Sequence, residues 1–232
     1  VGVVILLSLL HLSATAAHAG NNTGLQVQRA SAFEPWAGTP PITVAAVGDG
    51  AGGNPHDTKV SDLIISRQAD MLLYLGDVYD QGAPEQYTDY YEPTYGRLRA
   101  ITNPVPGNHD YKTADAAGYF GYWDGIPQFY SYDSGGWHFI ALDSAGSKAN
   151  LKPGSAQYEW LANDLDANSL PCTLAYYHHP RYSIGQHGDN TMLADVWSLL
   201  AQKGVDVTLA GHDHDYQRWQ PLDGDGIPTG GA

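Results

Sequence analysis

The chain has 232 residues, with 11 Lys and Arg against 25 Asp and Glu, a formal net charge of −14 at pH 7. That balance argues against a broad basic face for a polyanion, because nucleic-acid affinity rests largely on Lys and Arg neutralising phosphates. With 43% hydrophobic and 16% charged residues it is neither a disordered polyelectrolyte nor a coiled coil, and its length suits one domain or two small ones. Of the 25 acids, 21 are aspartate, which suits turns, caps and hard-cation sites and so points the acidity to loops.

Taken in chain order, residues 1–19 carry no Asp, Glu, Lys or Arg, and the apolar run from Val3 to Leu12 leads to Ala17-His18-Ala19. This pattern predicts the apolar region and cleavage site of a signal peptide, hence a secreted or extracytoplasmic protein with no membrane contact after cleavage. The run is too short to span a bilayer. Residues 20–41 read as a polar N-terminal leader and 42–232 as one domain whose C-terminal end, rich in Pro, Gly and Asp, reads as a flexible tail or a chain cut short. Cys172 stands alone, so no intrachain disulfide forms and core packing or bound metal must supply stability.

From Ile42 onward short apolar runs end abruptly in polar clusters. Ile42–Val47 leads into Gly48-Asp49-Gly50, Met71–Leu75 into Gly76-Asp77, and Pro104–Pro106 into Gly107-Asn108-His109-Asp110. Trp137–Leu142 leads into Asp143-Ser144, Thr173–Tyr177 into His178-His179-Pro180, and Val205–Ala210 into Gly211-His212-Asp213-His214. Nearly continuous apolar strands imply burial on both faces. Helices are predicted over Thr58–Ala69 after a cap at Asp57, over Ser155–Asp166, and over Asn190–Lys203 with Gly204 past its end. Alternation of strand and helix makes the class α/β, with helices covering a largely buried sheet or pair of sheets. Residues 78–103 and 111–132 read as long connections whose tyrosines and tryptophan either pack against the core or wall a substrate cleft.

In open α/β sheets ligands bind beyond the carboxyl ends of strands, where every one of these clusters sits. If the strands lie side by side, one rim collects Asp49, Asp77, Asn108, His178, His212 and His214, all oxygen or nitrogen donors. Buried like charges repel, and divalent or trivalent cations would compensate them; six donors exceed one tetrahedral site and suggest two metals. Gly48-Asp49 or Gly107-Asn108 alone reads equally as a turn. Gly211-His212-Asp213-His214 is harder to explain so, since alternate residues of an extended segment send both imidazoles to one side.

The ordered set GDG, GD, GNHD, HHP and GHDH resembles the metallophosphoesterase, or calcineurin-like phosphoesterase, superfamily, and within it the secreted purple acid phosphatase-like branch. The resemblance covers about residues 42–220 and implies a four-layer α/β/β/α sandwich of two mixed sheets flanked by helices, with a dinuclear metal site at the strand ends. It implies that Asp49 and His214 hold the first metal, that Asp77 bridges, and that Asn108, His178 and His212 hold the second. His178 is preferred to His179 by its spacing from Pro180. His109 matches the catalytic or phosphate-contacting His of the GNH motif, and His187 falls where the phosphatase branch keeps a further substrate-facing His.

Two positions depart from the pattern. Ala51 stands where the wider superfamily has the His of DxH, and Tyr79 comes two residues after Asp77, where the purple branch has its ligand Tyr three after. Either Tyr79 reaches the first metal or Asp80 serves, as ligand or as the partner of His109; Tyr79 is preferred. The resemblance implies a metal-dependent phosphoester hydrolase, foremost a secreted acid-phosphatase-like phosphomonoesterase acting on a small phosphoester through a metal-bound hydroxide. A phosphodiesterase or nuclease on the same centre and a non-catalytic metal- or phosphate-binding relative are the alternatives. The implied cofactors are two metal ions, iron with zinc, manganese or a second iron. Of the remaining residues, His138 is expected to pack structurally, His56 to be a solvated loop residue or a substitute ligand, and Asp143 to lie in a surface turn or accept at the site. Arg181 reads as a surface ion pair or a phosphate contact, while Asp213 and Asp215 are expected to tune the neighbouring histidines.

Overall fold

The computed structural model describes residues 8–12, 40–146 and 151–230. Two four-stranded sheets carry the fold. In the first, β1 (Ser8–Leu12) runs antiparallel to β2 (Ile42–Val47), and β3 (Met71–Tyr74) and β4 (Thr102–Pro104) follow in parallel. In the second, β5 (Tyr130–Ser134) is antiparallel to β6 (Trp137–Ala141), which is continued in parallel by β7 (Cys172–Tyr177) and β8 (Val207–Ala210). All of β3 and β6 is buried, as continuous apolar runs require of strands covered on both faces.

The helices are α1 (Pro55–Ser66), a short α2 (Pro84–Gln86) running into a π-helical turn, α3 (Ala117–Tyr122), α4 (Ala156–Ala167) and α5 (Ala194–Gln202). Side-chain alternation along β6 and β7 divides two cores. Phe139, Ala141, Leu174 and Tyr176 join residues of β2 and β3 in one, while Ile140, Ala175 and Tyr177 pack with Leu161 and Leu165 of α4 and Val196, Leu199 and Leu200 of α5 in the other. Ile64 of α1 belongs to the first core. The architecture is therefore mixed α/β, two sheets flanked by helices.

Several boundaries differ from expectation. Helix α1 starts at Pro55, three residues before the predicted Thr58, because Asn54 rather than Asp57 is the cap. Pro55 suits the first turn, and Asp57 closes a capping box from the third position. Before α5 the chain makes a 3-10 turn, Thr191–Leu193, with Asn190 accepting from the Met192 N–H. Strand β5 lies partly inside a segment read as a connection. It is turned back onto β6 by Gly135 and Gly136 at φ 57° and 82°, the positive pair that a tight hairpin needs. Many of the aromatic side chains of the long connections are core: Tyr87, Tyr91, Tyr95, Tyr119 and Trp123 are buried, while Tyr90, Tyr111 and Tyr122 are half-buried. Burial of such side chains is worth roughly 1.5–3 kcal/mol each in transfer free energy, enough to hold connections that have little regular structure.

Ser8–Leu12, within the stretch read as a signal peptide, lies along the edge of β2. The other residues of 1–39, and with them the expected cleavage site and most of the leader, lie outside the described residues. Among the described residues no helix is long and apolar enough to cross a membrane. Cys172 opens β7 and is half-buried. His138, in the middle of β6, is held from both sides: Nδ1 lies 2.7 Å from Asp133 Oδ1 of β5 and Nε2 2.8 Å from Asp164 Oδ2 of α4. Burial works to lower its pKa, but the two carboxylates outweigh it and push it up to about 9.

Candidate metal centre

The strand ends converge as the alternation of apolar runs and polar clusters suggests, but not through extended backbone. Asp49, Asp77, His212 and His214 have φ of 60°, 65°, 73° and 51°, in the left-handed region that non-glycine residues seldom occupy. His212 and His214 therefore do not alternate along a strand, and the turn sends their imidazoles to different neighbours. Each such residue costs on the order of 1–3 kcal/mol, a pattern typical of functional sites. Backbone bonds overdetermine the turns: Asp49 N–H donates to the Gly76 carbonyl and Gly211 N–H to that of His178, each at 2.9 Å. The chains pass so closely that a Cβ on Gly107 would lie 2.0 Å from Asp77 Oδ1.

The structure brings all six donors into one chain of contacts. Asp49 Oδ1 stands 3.3 Å from His214 Nε2, and Asp49 Oδ2 accepts the His212 N–H at 2.8 Å. Asp77 Oδ2 is 3.4 Å from His178 Nε2, which is also 3.0 Å from Asn108 Oδ1 and 3.2 Å from His212 Nδ1. His178 Nδ1 donates to the Leu75 carbonyl at 2.7 Å, which leaves Nε2 to present a lone pair when the ring is neutral. An imidazole nitrogen, an amide oxygen, a carboxylate and a second imidazole then face one another, a set of acceptors that a cation satisfies. Asp49, Asp77 and His178 form one group whose donor atoms all lie within 4.8 Å, and His178, His179 and His212 another. The donor chemistry fits hard or borderline metals bound through oxygen and nitrogen.

Without a cation, protons balance this charge. Burial opposes ionisation of Asp77, yet His178 and His109 hold its carboxyl well below the usual carboxylate range. Burial likewise opposes charge on His178, but Asp77 and Asp49 push its pKa up to about 10. His179 and His212 go the other way: burial and the adjacent histidines lower them to about 3 and about 4. His214 is raised by its bond to Asp49.

Tyr79 and Asp80 separate cleanly in space. The Tyr79 hydroxyl is 3.0 Å from Asp49 Oδ1, 3.4 Å from Asp77 Oδ2 and 2.5 Å from His214 Nε2, among the expected first-metal donors. Its N–H donates to the Ala51 carbonyl, in a bridge that pairs Ala51 with Val78. Burial and the two carboxylates raise the phenol far above its ordinary value; a cation there would reverse the local sign. Asp80 points elsewhere, with Oδ1 2.9 Å from His109 Nδ1 and 3.0 Å from Lys112 Nζ.

His109 donates its backbone N–H to Asp77 Oδ1 at 2.8 Å, and its ring lies 4.3 Å from that of Tyr79. His187 packs against His212 with ring centroids 4.3 Å apart. Three residues contribute in roles that the sequence did not assign, although Ser144 and Asp110 stand in its polar clusters. Lys112 comes beside His109 across one 3-10 turn, an i to i+3 neighbour that a helical period there would have flagged. Ser144 Oγ accepts the N–H groups of both His178 and His179, fixing the end of β7. Asp110, fully buried, accepts from the N–H groups of Asp77, Val78 and Gly107 and from the Tyr87 hydroxyl. Burial and the Asp77 charge push its carboxyl up to about 7.

Other expectations are corrected. Asp143 is no surface turn: it is fully buried and accepts from Tyr111, Gln128 and the N–H groups of Ala145 and Gly146. Arg181 stacks its guanidinium 4.2 Å over the Tyr182 ring. His56 is exposed, in keeping with a solvated residue, but stands in the first turn of α1 rather than in a loop and belongs to neither group of converging donors. Asp213 holds the loop that carries His187, and Asp215 accepts from Gln217; both carboxylates bond these partners rather than the ligand imidazoles.

Known proteins with similar sequences and folds fit this geometry. The chain is 30% identical over 211 residues to purple acid phosphatase 21 of Arabidopsis thaliana, covering 78% of this chain and 46% of that protein. It is 31% identical over 160 residues to a 3′,5′-cyclic-nucleotide phosphodiesterase of Nostoc sp., covering 66% of this chain and 59% of that one. The chain thus spans less than two thirds of the length of these relatives. The structure of purple acid phosphatase PPD1 from yellow lupin superposes with a TM-score of 0.60 at 15% identity, over 78% of this chain and 39% of that one, a likeness of fold. The family model described as calcineurin-like phosphoesterase matches residues 42–216, from the first residue of β2 to just beyond His214, and the chain belongs to that family.

Proposed function

We propose that the chain is a metal-dependent phosphoester hydrolase, foremost an exported phosphomonoesterase of the acid-phosphatase kind acting on a small phosphoester. The observation that carries this reading is the convergence of Asp49, Asp77, Asn108, His178, His212 and His214, brought from five strand ends into one set of acceptors. Asp49, His214 and the Tyr79 hydroxyl would hold one cation and Asn108, His178 and His212 the other; Asp77, whose Oδ2 is 3.4 Å from both the Tyr79 hydroxyl and His178 Nε2, would be shared between the two sets. When bound, such cations supply Lewis acidity toward phosphoryl oxygens and acidify water near neutral pH. Iron paired with zinc, manganese or a second iron suits these donors.

The remaining work falls to side chains. His109 and His187 flank the centre, where ring N–H groups can hydrogen-bond phosphoryl oxygens and return a proton to the leaving oxygen. Asp80 orients His109 from its Nδ1 side, and Lys112 adds a positive charge there. Because bound cations would offset the carboxylates, an acidic protein takes an anionic substrate at this spot. Export is supported by the apolar run and the Ala17-His18-Ala19 pattern, and the domain from residue 42 by the start of the family match.

The test is to substitute Asn108 and His214 separately with alanine and follow hydrolysis of a chromogenic phosphomonoester. Loss in both is expected; full activity in both would overturn the proposal. The cyclic-nucleotide phosphodiesterase among the relatives supports a second reading, cleavage of diesters at the same centre, which relative rates on monoester and diester substrates decide. One metal per chain by elemental analysis, with no hydrolysis, would mark a binding protein instead.

A further inference from the structure

The loop from Ser183 to His187 is wound around one carboxylate. Asp213 is 8% exposed; its Oδ1 accepts the His187 N–H at 2.8 Å and its Oδ2 accepts the Ser183 hydroxyl. Ser183 Oγ in turn accepts from the Gly185 N–H at 3.0 Å and from Gln217 Nε2 at 2.8 Å, while Gln217 Oε1 accepts the Ile184 N–H at 3.0 Å. A Cβ on Gly185 would lie 2.5 Å from Asp213 Cγ, so the loop has no room for a side chain there. Asp213 sits between His212 and His214, and its carboxylate faces the loop. At the far end of the same loop the His187 ring rests on the His212 ring, 4.3 Å between centroids and 35° between planes.

We propose that Asp213 is a positioning residue for His187. It ties the Ser183–His187 loop to the ligand turn, so that the backbone carrying His187 and the imidazole of His212 are set by a single side chain. The inference rests on His187 facing the phosphoester. The carboxylate suits the task because it accepts from both ends of the loop at once, and acceptors of low exposure hold such bonds firmly. A hydrophobic residue at the same position could support the turn but would leave the His187 N–H and the Ser183 hydroxyl without that acceptor.

The experiment compares Asp213→Ala, Asp213→Asn, Gly185→Ala, His187→Ala and the Asp213→Ala/His187→Ala double variant, measuring kcat and KM on p-nitrophenyl phosphate and metal content by elemental analysis. Asp213→Ala and Gly185→Ala are each expected to lower kcat/KM by about 10- to 100-fold, as misplacement of a proton-transferring group does. Metal content should stay at the wild-type value. Asp213→Asn should recover most of the loss, since its amide oxygen still accepts the His187 N–H. The double variant should be no worse than His187→Ala within about threefold, because a residue acting through His187 has nothing left to position. Gly185→Ala keeps the Asp213 carboxylate but crowds it from the loop side, and keeps the test open if Asp213→Ala folds poorly. Losses that multiply in the double variant, or metal loss in Asp213→Ala beside a wild-type Gly185→Ala, would overturn the proposal. A fully active His187→Ala would overturn the reading of His187 itself, and the positioning role with it.

Discussion

Replacing His138 by Gln should cost stability in acid and little in base. The imidazolium bridges Asp133 of β5 and Asp164 of α4, and Asp164 also accepts from Ser131 of β5; Thr173 of β7 is its register partner on the other side. Its pKa stands at about 9 in the folded chain against an ordinary 6.5. A difference of that size corresponds to about 3 kcal/mol by linkage. Asp133 is 62% exposed, so solvent screening brings the expectation down to about 2 kcal/mol. Because the folded value is the raised one, this stability is fully present below about pH 6.5 and is lost as pH rises through about 9. Above that, a neutral ring has one N–H and can serve only one carboxylate. The assay is urea unfolding of the metal-loaded protein and the variant at matched pH from about 6 to about 10, in which the site's own titrations are shared and cancel. At the acid end a gap of about 2 kcal/mol corresponds to roughly 4–8 °C in Tm for a domain of this size. A gap that stays constant with pH, or widens toward base, would refute the ion-pair account.

Gly107→Ala should abolish hydrolysis of a chromogenic phosphomonoester and reduce metal content, since its Cβ would fall 2.0 Å from Asp77 Oδ1. Asp110→Asn should lower stability by about 2 kcal/mol in thermal unfolding, because the amide turns a donor toward a pocket of four donors. Tyr79→Phe should remove any visible absorption of an iron-loaded protein while leaving its fold intact by circular dichroism; a spectrum that survives would assign the colour elsewhere. Asp80→Asn should lower kcat more than it raises KM and spare metal content, as expected if Asp80 orients His109 and does not bind metal.

What the sequence disclosed followed from burial. A parallel strand covered on both faces must be apolar throughout, so β2, β3, β6 and β7 and the polar residues that end them were legible; β8, half-buried along its length, was legible by its apolar run alone. The turn conformations were not: φ above zero at Asp49, Asp77, His212 and His214 is dictated by contacts between strand ends far apart in sequence. Strand β5 was hidden because Tyr130 and Tyr132 resemble the aromatic connection before them, although Gly135-Gly136 marked the hairpin. Local chemistry could not place Asp143 or Asp110, because the donors that bury them beyond their own turns, Tyr111 and Gln128 for one and Asp77, Val78 and Tyr87 for the other, come from segments that only the fold brings close. The start of α1 was legible in principle, since Asn54-Pro55 is a better cap signal than Asp57.

The donors of the candidate centre come from both sheets: Asp49, Asp77 and Asn108 follow strands of the first, and His178, His212 and His214 follow strands of the second. Asp49 and His214, assigned to the same cation, stand 165 residues apart in sequence (214 − 49). A cation held between them closes a loop as a disulfide would, and for a loop of that length the loss of chain entropy in the unfolded state is worth about 5 kcal/mol. In a chain whose single cysteine has no partner, the centre would then serve as the fold's covalent-like clasp, and chelation would loosen the joint between the sheets before it melted either one.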